Sequence, residues 1–235
     1  MLRAHKLRQY EDKLGNEIVF AGESHDSVTD IRFRGSGNKL IVASDAKIVD
    51  LRVDFIGDHG TVEIGSTVGN SVGLRFAMRV GHHSRIRIGR DVSSEGVVLV
   101  SAVEGTEVSI GEDTMLFAGI EVRSDDTYPV YEVATEKRLN DSRSITIGEH
   151  VWIAEGATIM GGVTIGNGAV ISTRSIVDTD IPNNCIAMGA PAQVVNRDIA
   201  WERRVVLDRK RGDLLPADGE KTARYWGLTR ADVPN

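Results

Sequence analysis

The chain has 235 residues and a formal net charge of −6. That is enough for one large domain or two small ones, and the wrong sign for the whole protein to be drawn to nucleic acid. Aromatic residues make up only 5% while glycine reaches 25, a balance that suits a thin, regularly stacked interior better than a conventional core. The single cysteine, Cys185, excludes an internal disulfide and fits a reducing compartment.

The opening stretch MLRAHKLRQYEDKLGN has no apolar leader, and no run of about 18 apolar residues follows anywhere. The expectation is a cytoplasmic protein with no membrane insertion. Residues 1–37 form a polar N-terminal segment, with a short charged helix expected over MLRAHKLRQYEDKL and a first strand at GNEIVF. From Asn38 onward, short β-branched runs close on glycine, with Ile-Gly steps at Ile64, Ile88, Ile110, Ile147 and Ile165. The early spacings are irregular and predict bulges or extra residues. Near the C-terminus the pattern becomes strict. Aliphatic residues fall every six positions at Ile147, Ile153, Ile159, Ile165, Ile171 and Val177. Four positions after each stand Val151, Ala157, Val163, Ala169, Ser175 and Ile181, mostly small or β-branched. Neither an α-helix nor a simple alternating strand keeps a period of six. It is the period of a hexapeptide β-helix, all-β and parallel. Three hexapeptides make one triangular coil, and about eight coils at about 4.8 Å each predict a prism about 35–40 Å tall.

The repeat spans 38–195 with one break. Over 123–144 it gives way to a polar insertion containing SDDTYPVYE, and insertions of this kind loop out of a solenoid on one face. After Val195 the repeat stops, and 196–235 reads as a charged amphipathic helix, NRDIAWERRVVLDRKRGDLL, capping the last coil and followed by a tail. Its basic run, Arg203, Arg204, Arg209, Lys210 and Arg211, reads as a solvated helix face, with a phosphate-binding surface as the sharper alternative.

The segment IGEHVWIAEGATIMGGVTIGNGAVISTRSIVDTDIPNNCIAMGAPAQVV closely resembles the C-terminal coils of the hexapeptide-repeat acyltransferases, in particular the sugar and capsular polysaccharide O-acetyltransferases. The resemblance is strong over 145–195 and fair over 38–123. It implies a left-handed parallel β-helix, a homotrimer, acetyl-CoA bound between neighbouring subunits, and a sugar or glycan hydroxyl as acceptor. Relatives carry a loop resembling SDSHPIYD and then HVWIG; this chain has SDDTYPVYE and HVWIA. Aligned on Pro129 and Tyr131, the family's catalytic histidine falls on Tyr128, and its active-site tryptophan on Trp152. The carry-over therefore places Tyr128, Asp125, Asp126 and Trp152 in catalysis. It places Trp152, Ala154, Thr173, Arg174, Thr179, Gln193 and Arg197 at the cofactor. Thr179 and Gln193 replace lysines common in relatives, with Arg174 and Arg197 nearby as substitutes.

Acyl transfer to a hydroxyl needs a base, and imidazole is suited because it titrates near working pH. An ordinary tyrosine, with a pKa of about 10, is phenolate about one time in a thousand at pH 7. Asp125 and Asp126 are the neighbouring alternatives. His82 and His83 lie coils away and read as surface residues, and His150 reads as a corner residue. Three readings follow: O-acetyl transfer from acetyl-CoA, transfer to an amine that needs less base assistance, and a non-catalytic trimeric scaffold or glycan-binding homologue. No P-loop, dinucleotide fingerprint, zinc spacing or nucleophile elbow occurs, and no metal site is expected.

Overall fold

The computed structural model describes residues 2–23, 27–67, 72–203 and 223–230. Its strands stack as a left-handed parallel β-helix with three sheets, two of eight strands and one of six. The strict C-terminal repeat explains itself in the packing. All six aliphatic positions from Ile147 to Val177 are at most 2% exposed. Ile147 lies opposite Ile165, Ile153 opposite Ile171 and Ile159 opposite Val177, each pair in a different sheet. Eighteen residues thus return the chain to the same face one coil on. The side chains at Ala157, Ala169 and Ser175 are buried as well, keeping the spaces between the aliphatic rows small.

The N-terminal coils are built differently. The strands Val28–Phe33, Ile48–Phe55 and Leu74–Val80 are longer than any hexapeptide strand, and burial along them follows a period near two. Leu40 pairs with Val62, and Val62 with Ile86, so these coils use 22 and 24 residues. One bulge falls at Ile48/Asp50; otherwise the added residues lengthen two strands. The third sheet begins only at Ser93–Ser94. Bulkier side chains fill the wider interior, with the Phe33 and Phe55 rings stacked 5.1 Å apart.

Three expectations change. The repeat starts before Asn38, because Glu17–Val19 already pairs in parallel with Lys39–Val42. The first residues form no helix. Leu2–Ala4 runs antiparallel to Val28–Phe33, and Tyr10–Glu11 makes a hairpin with Glu17–Val19. The Asp12 carboxylate closes that turn by accepting the N–H groups of Leu14 and Asn16 at 2.8 and 2.9 Å, so local side-chain bonds outcompete the helix. The parallel strands of one eight-stranded sheet, from Glu17–Val19 to Thr164–Ile165, number seven, so the prism has about seven coils and is about 30 Å tall.

The helix expected from residue 196 is likewise not formed where it can be seen. Ala192–Arg197 is a strand antiparallel to Cys185–Gly189, and 198–203 is irregular. The remainder of that expectation, 204–222 with most of the basic run, lies outside the described residues. Antiparallel strands therefore cover the first edge of both eight-stranded sheets and the last edge of the six-stranded one, edges that parallel coils leave open. No described helix is long and apolar enough to cross a membrane.

Candidate active site

The insertion leaves the prism after Glu121–Arg123 and returns at Ile145–Ile147. It therefore stands at the corner between the two eight-stranded sheets. Its root is tied down by buried polar groups. Asp125, 8% exposed, accepts the Ser101 hydroxyl at 2.7 Å and the Thr127 N–H at 2.9 Å, and pairs with the Arg79 guanidinium. Burial pushes the Asp125 carboxyl up, but these three donors outweigh it and hold it below the usual carboxylate range. An aspartate so held is a poor proton acceptor; Asp125 anchors the loop. The returning limb is clamped by Glu104, which takes Arg138 in two bonds of 2.7 and 3.0 Å and the Ser142 hydroxyl at 2.6 Å.

Between these anchors the loop folds on itself. Leu139 N–H donates to the Val130 carbonyl at 2.8 Å, and Asn140 donates to the Tyr128 carbonyl at 2.9 Å and to Asp126 at 3.1 Å. Tyr128 is 77% exposed, and its hydroxyl has no hydrogen-bond partner among the described residues. A cavity of about 390 Å³ separates the loop from Met160 and Gly161, with Asp126, Asn140 and Arg143 on its walls. Position 161 must be glycine, because a Cβ there would lie 2.7 Å from the Ser124 carbonyl oxygen.

Trp152 sits elsewhere, in the third sheet, between Met115 and Val170. Its ring leans on Phe117 and Trp201 at 6.2 and 6.1 Å. Its indole N–H is enclosed yet finds no partner among the described residues, an unmet donor of the kind that ligands or second subunits satisfy. Ala154, Thr173 and Arg174 share the corner that follows this sheet, where the Arg174 N–H donates to the Glu155 carbonyl at 2.8 Å. Gln193 and Arg197 belong to the closing strand of the same sheet. Arg174 and Arg197 are exposed and form no ion pair among the described residues, so both remain free for an anion. Thr179 stands at another corner, after Ile176–Val177. Within one chain the Tyr128 group and the Trp152 group therefore occupy different corners.

His150 is a corner residue as expected, with φ 52° between Ile145–Ile147 and Trp152–Ile153, but its ring turns inward and is fully engaged. It is 1% exposed, its ring lies between Trp201 at 4.0 Å and Tyr225 at 4.5 Å, and its nitrogens face Asp113 at 2.5 Å and the Trp201 carbonyl at 3.0 Å. Asp113 also receives Arg203, at 2.5 Å. Burial raises the Asp113 carboxyl, but His150 and Arg203 outweigh it, and it too sits below the usual range. This clasp ties the segment after the last strand back onto earlier coils. Sequence reading missed it because its members lie far apart along the chain. Cys185 is buried, and burial pushes its thiol up to about 11; it is inert. His83 stacks on His59 at 5.0 Å, coils from the loop. Among the described residues no cluster of three metal-ligating side chains occurs.

Residues 144–179 match the family model "Bacterial transferase hexapeptide (six repeats)". The polysialic acid O-acetyltransferase of Neisseria meningitidis is 28% identical over 63% of this chain and 67% of its own length. The enzyme of the same name from Escherichia coli O1:K1 / APEC is 35% identical over 54% of this chain, but the match spans only 43% of that longer protein. The crystal structure of the polySia specific acetyltransferase NeuO superposes with a TM-score of 0.76 and 31% identity, covering 87% of this chain and 90% of that one. A coiled prism interrupted by an anchored loop, together with this similarity over nearly the whole length, places the chain in the hexapeptide-repeat acyltransferase family, among its polysaccharide O-acetyltransferases.

Proposed function

We propose that the protein moves an acetyl group from acetyl-CoA to a hydroxyl of a polysaccharide, at sites completed by neighbouring copies in a homotrimer. The observation that carries this reading is the pair of half-sites. An anchored loop presents Tyr128 at one corner, and the Trp152 indole, with Arg174 and Arg197 along the same sheet and its corner, has no polar partner among the described residues. A second copy that sets its loop against the Trp152 corner unites them. The acceptor oxygen attacks the thioester carbon, the C–O bond forms as the C–S bond breaks, and the hydroxyl proton ends on the released thiol. Tyr128 and Asp126 are the loop groups left to carry that proton, because Asp125 is committed to Arg79 and Ser101. The cavity between the loop and Met160 suits the reacting sugar unit.

The residues fit acetyl-CoA in kind: an aromatic face with an unmet N–H, small Ala154 beside it, hydroxyl and amide groups at Thr173, Thr179 and Gln193, and two free arginines for phosphate. A direct test is the melting temperature with increasing acetyl-CoA, which rises by mass action if the native state binds it. The reading requires a saturable rise for the native chain and a weaker one for Trp152→Ala at unchanged oligomeric mass. No rise at millimolar acetyl-CoA in the folded native protein would remove the donor from the proposal.

A further inference from the structure

The long N-terminal strands create a surface that hexapeptide coils cannot. Along Val28–Phe33, Ile48–Phe55, Leu74–Val80, Val98–Ala102 and Glu121–Arg123, every second residue faces outward, and the strands are in register. One outward column runs Asp30, Arg52, Ala77, Leu99, Glu121. The next runs Arg32, Asp54, Arg79, Ser101, Arg123. Together they line an open groove of about 440 Å³. Four strand steps at about 4.8 Å make it about 19 Å long.

We infer that this groove binds the sugar units flanking the reacting one in a polymeric acceptor, so that the protein recognises a stretch of polysaccharide chain. The inference rests on the acetyl-transfer reading above. Three observations carry it. The groove ends at Thr127, next to Tyr128, and Arg123 donates to the Thr127 hydroxyl at 3.0 Å, so it is continuous with the candidate catalytic loop. Its middle is a short apolar strip, Ala77 with Leu99, the latter 45% exposed, bordered by guanidinium, carboxylate and hydroxyl groups. A sugar ring has the matching character, with C–H faces and a rim of hydroxyls. The charged groups are also held in place. Asp30 takes Arg3 at 2.6 and 2.8 Å and Arg32 at 2.6 Å, and Asp54 takes Arg34 at 2.8 and 2.6 Å. Arg52 is held by Asp50 and remains 54% exposed on its side chain. Such fixed groups lose little freedom on binding. With four arginines and three carboxylates on its walls, the groove offers donors and acceptors to sugar hydroxyls and guanidinium groups to the carboxylates of an acidic polymer. A chain lying in it raises the effective concentration of its own hydroxyls at the loop.

The test uses polysialic acid, the acceptor for which the relatives are named, as monomer, short oligomers and long polymer. The variants are Leu99→Glu and Arg52→Ala, both at exposed positions. Binding is measured without acetyl-CoA, and turnover separately. The native protein should bind the long polymer at least ten-fold more tightly than the short oligomer. Leu99→Glu should abolish that gain by raising KM for the polymer, leaving kcat, turnover on the short oligomer and the acetyl-CoA melting shift unchanged; Arg52→Ala should reduce it. Equal affinity for short and long acceptors would overturn the inference, as would a length gain that survives both variants. A change of oligomeric mass in Leu99→Glu would also overturn it, by showing that the face is covered by another copy. Absence of transfer to any acceptor would sink the catalytic reading and leave the binding result standing by itself.

Discussion

Tyr128 holds the position where the family resemblance implies a histidine, and the structure leaves its phenol exposed and unpartnered in the loop. The neighbouring carboxylate cannot simply take over, because Asp125 is held ionised by Ser101, Arg79 and Thr127. Tyr128→His should therefore raise kcat, by up to about 10²-fold, because an imidazole is the better general base near working pH. Tyr128→Phe should lower it by about 10²-fold at little change in KM. Steady-state kinetics on both variants checks this, and an unaltered Phe variant would take the phenol out of the reaction. Asp125 gives a second prediction. Its native carboxyl lies below its unfolded value, so the stability it lends is present above the ordinary carboxylate range and is lost as pH falls through the native value. Asp125→Asn should cost about 2 kcal/mol at pH 7, discounted because Arg79 is about one-third exposed. Urea unfolding should show the gap closing as the pH falls below about 4, where the unfolded aspartate takes up a proton, and vanishing once the pH passes the lower native value.

At the scale of elements, the chain's regular parts were legible and its exceptions were not. The six-residue period from Ile147 to Val177 is the period of the coils, because each of those side chains points inward at one place per face. The insertion was legible as lost periodicity. The start of the repeat was not, because Glu17–Val19 and Val28–Phe33 follow strand periodicity of two, which carries no coil signature. The helix expected at the N-terminus yielded to the Asp12 turn, whose hydrogen bonds depend on side-chain placement that helix patterning ignores. The clasp of Trp201, His150 and Tyr225 was invisible for another reason: it joins residues dozens of positions apart through ring stacking. It should matter to stability. Trp201 is 8% exposed, donates its indole N–H to the His150 carbonyl at 3.0 Å and packs on Trp152. Trp201→Ala should cost about 3 kcal/mol, read by chemical denaturation. An unchanged midpoint would mean that the clasp is decorative.

For the whole molecule, the fold sets the insertion loop and the Trp152 sheet at different corners of the prism. On the proposed reading, one chain then contributes halves to two different sites. Mixing two inactive proteins tests this. If Trp152→Ala and a loop-disabled variant each lose transfer, co-assembled mixtures should regain a fraction of native activity, because some interfaces pair an intact loop with an intact Trp152. Mixtures that remain inactive, despite proven subunit exchange, would place the whole site within one chain.

The decisive measurement is acetyl-CoA-dependent thiol release with acidic and neutral capsular polysaccharides supplied in turn, polysialic acid among them, followed by detection of acetyl ester on the recovered polymer. One ester per thiol, saturable in both substrates and absent without polymer, is the predicted result. A folded protein that binds acetyl-CoA yet releases thiol no faster with polymer than without it, and leaves the polymer unmodified, would contradict the account.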